Sequence, residues 1–84
     1  MAKIRWSLKA SKQLDKIQHA DKKTILNAVD ALCNFPYVTN IKALTNHKYD
    51  YRLRVGRYRV LFNPDEIIKI ISIEEVKKRD GNTY

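Results

Sequence analysis

The sequence has little of what staples, bends or bridges a chain. Its 84 residues include one cysteine, two glycines, two prolines and one tryptophan. A lone cysteine excludes an intramolecular disulfide and any metal site built on cysteines. Cys33 falls inside an apolar helical pattern and reads as packing rather than as a nucleophile. Long apolar runs are absent too. The longest, Ile67 to Ile73, is broken by Lys69 and Ser72 and is far too short for a bilayer. Met1 to Leu8 lacks the apolar core of a secretory signal, so the expected location is the cytoplasm, with no membrane. No P-loop, HExxH, CxxC or GxSxG signature occurs. His19 and His47 lie far apart, and the adjacent Glu74 and Glu75 point to opposite faces of a strand, so they make no acid–base pair.

Acid is scarce as well: 9 Asp and Glu stand against 17 Lys and Arg, a formal net charge of +8. Such an excess fits a merely soluble protein, whose charges form a solvated face. It also fits a polyanionic partner, such as nucleic acid, the ribosome or an acidic protein. A chain of this length makes one domain, 1–84, and buries roughly 60–65% of its unfolded surface. That leaves no deep cofactor cleft, so function must sit on an open face.

What is present orders itself simply. Ile4, Trp6 and Leu8 alternate with Lys3, Arg5 and Ser7, the period of a half-buried strand over Lys3–Ser7. Ser7 can cap a helix over Leu8–Gln18, and a turn at His19–Asp21 leads on. With Asp21 as cap, Ile25, Val29, Leu32 and Cys33 give one buried face of a helix over Asp21–Asn34. Pro36 ends it. Tyr37–Lys48 reads as irregular surface chain.

A hairpin follows. Tyr49, Tyr51, Leu53 and Val55 share one face of a strand, and Arg52 and Arg54 the other. Gly56–Arg57 is a compact turn. Tyr58, Val60 and Phe62 then oppose Arg57, Arg59 and Leu61. Asn63–Pro64–Asp65 is a turn signal, and Ile67–Val76 reads as a covered strand. The expected fold is α+β: an N-terminal strand, a helical hairpin and a three-stranded antiparallel meander, with the helices on one face of the sheet.

The ribbon carries the chemistry. With two-residue periodicity Arg52, Arg54 and Arg59 can share a face. Three guanidiniums on a rigid sheet offer planar donor forks that match phosphate oxygens and stay charged at working pH. Arginine also fills exposed strand positions, so a solvated face is the alternative. Lys77, Lys78 and Arg79 extend the basic face or form a basic tail.

These residues resemble the RelE/ParE superfamily of bacterial toxins from toxin–antitoxin pairs. The element order matches over essentially the whole chain. The run Tyr51-Arg52-Leu53-Arg54-Val55-Gly56-Arg57-Tyr58-Arg59-Val60-Leu61-Phe62 is similar to the family ribbon Y-R-L-R-V-G-x-Y-R-V-L-Y, and Lys42-Ala43-Leu44 to the K-x-L before it. Lys78-Arg79-Asp80 followed by Tyr84 resembles the family ending K-R-D-x-x-x-Y. The resemblance implies a toxin neutralised by a cognate antitoxin, the complex binding operator DNA through that antitoxin. RelE-branch toxins cut mRNA in the A site of the 70S ribosome, and ParE-branch toxins inhibit DNA gyrase. The terminal Tyr84 favours the RelE branch; a non-catalytic nucleic-acid-binding domain is the third reading.

The RelE reading implies metal-free and cofactor-free phosphoryl transfer, with the RNA 2′-hydroxyl attacking its own phosphate. Carried over by position, Arg59 and Arg79 bind the scissile phosphate, and Arg54 and Arg52 complete the clamp or hold flanking phosphates. Arg57, Lys77 and Lys78 add RNA contacts. Some relatives have Lys where Arg52 and Arg54 stand. Arginine does not lose its proton, so neither is the general base. Tyr84 stacks, orients the hydroxyl or acts as base, and His47 is the other candidate base. Arg79→Ala is therefore expected to abolish cleavage of ribosome-bound mRNA. Tyr84→Phe keeps stacking and removes only the hydroxyl, so an unchanged cleavage rate in that variant would leave Tyr84 without a proton role.

Overall fold

The computed structural model describes residues 2–78. The elements run β1 (Lys3–Trp6), α1 (Leu8–Asp15), α2 (His19–Asp30), a 3-10 helix (Ala31–Asn34), β2 (Ile41–Ala43), β3 (Tyr51–Val55), β4 (Tyr58–Asp65) and β5 (Ile70–Lys78). The strands form a five-stranded sheet in the order β1-β5-β4-β3-β2. β1 runs parallel to β5, and the remaining pairs are antiparallel. The α+β class, the N-terminal strand and the β3-β4-β5 meander are as expected, and β2 is added at the edge beyond β3. Among the described residues no helix is long and apolar enough to cross a membrane.

Ser7 sets the first corner. Its extended backbone places Oγ to accept from the Ala10 N–H at 3.0 Å, and the same hydroxyl donates to the Glu74 carbonyl at 3.1 Å. One side chain thus caps α1 and moors it to β5. α1 lies along β5 just where β1 has stopped pairing. The Ser7 N–H donates to the Ile73 carbonyl at 2.9 Å, and the Gln13 Oε1 accepts from the Val76 N–H at 2.7 Å. Helix side chains therefore satisfy backbone groups that a neighbouring strand would otherwise take.

α2 begins at His19, two residues before the Asp21 start read from sequence, and its cap residue Gln18 makes no side-chain cap bond. Asp21 sits inside the first turn instead, where a carboxylate meets the positive end of the helix dipole. Ile25, Val29 and Leu32 are buried as the stripe requires, but the regular helix stops at Asp30 and its last turn tightens into the 3-10 segment. The Phe35–Pro36 peptide that follows is cis.

Other boundaries differ from the sequence reading too: α1 ends at Asp15 instead of Gln18. Ile41–Ala43, within the stretch read as irregular, is an edge strand paired with Tyr51–Leu53. Asn63–Pro64–Asp65 is not a turn but the end of β4, paired with Ile70–Ser72. Pro64 is tolerated because β3 begins opposite Phe62, so beyond that point β4 has no neighbour on that side to need an N–H. The reversal comes after it, where Asp65 Oδ1 accepts from the N–H groups of Ile67 and Ile68 at 3.0 and 3.2 Å. Those two isoleucines consequently lie in the turn and are exposed, and β5 starts at Ile70.

The core lies between the helical layer and one sheet face. Ala10, Leu14, Ile25, Val29 and Leu32 meet Leu53, Val55, Val60, Phe62, Ile71, Ile73 and Val76. Phe62 is fully buried and packs edge-on against Phe35, at 5.9 Å between centroids, and stacked on Tyr51 at 5.6 Å. Because Ser7 both caps α1 and binds β5, Ser7→Ala is expected to cost about 1–2 kcal/mol of unfolding free energy. Urea denaturation of the two proteins measures it, and a loss within error of zero would remove the double role.

Candidate nucleic-acid interface

The face of the sheet away from the helices is built by register. Val55 pairs with Tyr58 across Gly56–Arg57, so Arg54 opposes Arg59 and Arg52 opposes Leu61. Of the two turn residues only Gly56 takes a positive φ, 57°, which suits the first central position of a tight hairpin turn. The Arg54 N–H donates away from β4, to the Asn40 carbonyl at 2.8 Å. Arg54 and Arg59 are therefore a pair without ladder hydrogen bonds, the closer kind, with Cα atoms about 4.5 Å apart. Like charges set opposite each other in this way repel.

The two arginines are held differently. Arg54 is exposed, whereas Arg59 is 4% exposed. Its Nη1 donates to the Gly56 carbonyl at 3.0 Å and the Tyr58 carbonyl at 2.9 Å, which fixes the guanidinium beneath the hairpin tip. Arg52 is half-buried. Pairing continues the face on both flanks: Lys42 of β2 opposes Arg52, and Lys77 of β5 opposes Arg59. Structure thus brings together Lys42, Arg52, Arg54, Arg59 and Lys77.

It does not bring Arg57 and Lys78 to the same place. Lys78 opposes Tyr58, on the helix side of the sheet. Both cations line a groove of about 480 Å³ with Lys16, Gln13, Asp21 and Tyr58. Arg79 and Tyr84 lie outside the described residues. His47 is exposed, in the loop between β2 and β3, and its Nδ1 accepts from the Tyr49 N–H at 3.1 Å.

Sequence reasoning missed three members of the face. Lys42 was hidden in a segment read as irregular. Tyr49 was read as sharing a face with Tyr51, but it precedes β3, and its hydroxyl reaches Glu75 Oε1 at 3.4 Å. Glu75 is the third: a buried carboxylate that also takes Lys9 Nζ at 2.8 Å and Lys77 Nζ at 3.1 Å. Its position follows from a bulge. Leu61 pairs with Glu75 and Phe62 with Ile73, so Glu74 is the extra residue and β5 changes parity there. Among the described residues no group of three His, Cys, Asp or Glu side chains is placed to hold a metal ion.

On the helix side, the Tyr58 hydroxyl donates to Asp21 Oδ2 at 3.3 Å. Desolvation raises the Tyr58 pKa above its usual value, the Asp21 carboxylate raises it further, and Arg57 opposes both. The folded pKa is the higher one, so this contribution to stability is complete below the unfolded value of about 10 and is lost as pH rises through the folded value. Asp21→Asn is expected to bring the Tyr58 titration down toward pH 10. Tyrosinate absorbance, referenced to Tyr58→Phe, follows it; an unmoved curve would show that Asp21 does not act on the phenol.

Comparison with known proteins agrees with this architecture. The chain is similar to the RelE of an archaeal RelE–RelB complex from Pyrococcus horikoshii OT3, with 25% identity, 98% of each chain covered and a TM-score of 0.81. The toxin–antitoxin complex RelBE2 of Mycobacterium tuberculosis matches at 21% identity over 93% of this chain and 98% of that one, with a TM-score of 0.80. The isolated E. coli RelE toxin matches at 12% identity over 95% of this chain and 86% of that one, with a TM-score of 0.80. No curated protein sequence matches. The family model described as ParE toxin of type II toxin–antitoxin system, parDE, matches residues 4–80. With nearly the whole chain covered by that model and its fold shared with solved RelE toxins, this protein belongs to the ParE toxin family, within the RelE/ParE superfamily of toxin–antitoxin toxins.

Proposed function

We propose that the protein is a toxin that cuts mRNA on the ribosome by attack of the RNA 2′-hydroxyl on its own phosphate, which forms a cyclic phosphate, breaks the bond to the next nucleotide's 5′-oxygen and releases it as a 5′-hydroxyl. One observation carries the reading: Arg54 and Arg59 oppose each other on the sheet face away from the helices, flanked by Arg52 and Lys77. An anion between the two guanidiniums removes their repulsion and is met by matched donor forks. The buried Arg59, already fixed by two carbonyls, is preorganised for charge that develops in the transition state. Arg54 closes on the same phosphate from the exposed side, and Arg52 and Lys42 take its neighbours along the strand. Arginine cannot serve as base. Proton transfer falls to Tyr84, to His47 or to the ribosome-bound RNA, with Arg79 completing the clamp.

Several of the solved relatives are toxin–antitoxin complexes. The same arrangement here gives a cognate antitoxin whose acidic part covers the arginine face, since like charge there is costly. The complex then reaches operator DNA through the antitoxin. A second reading, inhibition of DNA gyrase, is favoured by the ParE description of the matching family.

Arg54 gives the cleaner test, because its side chain is exposed whereas Arg59 also holds the hairpin turn. Induction of the protein is expected to stop translation and produce mRNA ends in phase with codons, and Arg54→Ala to lower that cleavage by on the order of a hundredfold. Filamentation and a DNA-damage response with intact mRNA would support the gyrase reading instead.

A further inference from the structure

Glu75 is a carboxylate at the centre of a cationic face, and the cleavage chemistry above gives it no task. Its side chain is 7% exposed, while those of its lysine partners Lys9 and Lys77 are 57% and 44% exposed. A carboxylate this buried requires paired charge and hydrogen bonds. It has them: Oε1 takes Lys9 Nζ and the Tyr49 hydroxyl, and Oε2 takes Lys77 Nζ. The partners come from α1, the loop before β3, and β5 itself. Both oxygens are committed to ammonium groups, which leaves Glu75 unsuited to accept a proton from substrate.

Its place in the register defines its effect. Lys77 stands opposite Arg59, a second like-charge pair on the face. Glu75 is two residues before Lys77 on the same strand and diagonal to Arg59, with that Cα separation roughly 7–8 Å. Bonded to Lys77 at 3.1 Å, it restricts a side chain that would otherwise swing into water. A lysine held by its partner presents its remaining donors in a fixed direction.

We propose that Glu75 is the positioning residue of this face: it holds Lys77 beside Arg59 so that the two cations meet one phosphate together. The proposal rests on the reading of the face as an RNA-cleaving surface, and it deepens that reading by one residue pair.

The test uses Glu75→Gln, Lys77→Met and the double variant, each confirmed folded by circular dichroism. In cleavage of ribosome-bound mRNA each single variant is expected to lose roughly ten- to a hundredfold in kcat, with KM little changed. The double variant should lose no more than Lys77→Met alone. Losses that multiply, or an unchanged kcat in Glu75→Gln, would overturn the proposal, because a purely structural carboxylate does not act through Lys77. A second measurement does not need activity. Side-chain NMR of the Lys77 Cε group is expected to show restricted motion in the wild type, loss of that restriction in Glu75→Gln, and a shift on adding a short single-stranded RNA. A wild-type protein that cuts nothing but passes the NMR test defeats the cleavage reading and leaves the positioning intact. Free motion of Lys77 in the wild type, or no response to RNA, defeats the positioning itself.

Discussion

The register between β3 and β4 is the constraint on which the rest depends. Side chains alternate across a sheet, so a slip of β3 by one residue would turn Arg54 into the helical layer, away from Arg59, and put Leu53 in water. The tight turn at Gly56, with its positive φ, and the packing of Val55, Val60 and Phe62 both forbid that slip. Arginine could not be accommodated where Ile25 and Val29 cover the sheet, and those residues are almost wholly excluded from water. The hydrophobic core and the cationic face are two readings of one alternation. Any change that loosens the first displaces the second.

That face is costly to assemble. Arg54 faces Arg59, and Lys77 faces Arg59 from the other side. The structure offsets this locally, with carbonyl oxygens at the hairpin tip for Arg59 and a carboxylate for Lys77. The offset leaves Arg54 exposed and its charge available. In the function proposed above, an anion seated between Arg54 and Arg59 relieves this repulsion.

Much of the fold was legible because its determinants are local. The apolar spacing of Ile25, Val29 and Leu32, the cap at Ser7, and the arginine alternation around Gly56 each occupy a few adjacent residues. What was missed depends on distant partners. Ile41–Ala43 is too short to show a period, and its pairing with β3 makes it a strand. Pro64 spells a turn until one knows that β3 starts only opposite Phe62 and leaves that edge of β4 unpaired beyond it. Glu75 looked like half of an unproductive pair, because Lys9 lies 66 residues away and Tyr49 reaches it from a loop. The arginine cluster was readable as a line of residues, whereas Lys42 and the buried carboxylate that complete it became visible only through the register.

The mooring of α1 has one more consequence. β4 and β5, the long strands of eight and nine residues, sit inside the sheet, and the edges are left to β1 and β2, of four and three residues. β5 would still offer a bare margin past the end of β1, but Ser7 and Gln13 occupy its Glu74 carbonyl and Val76 N–H. A foreign strand looking for a ladder to extend finds only short ones. The same helix that builds the core thereby guards a small, highly charged chain against aggregation through its own sheet.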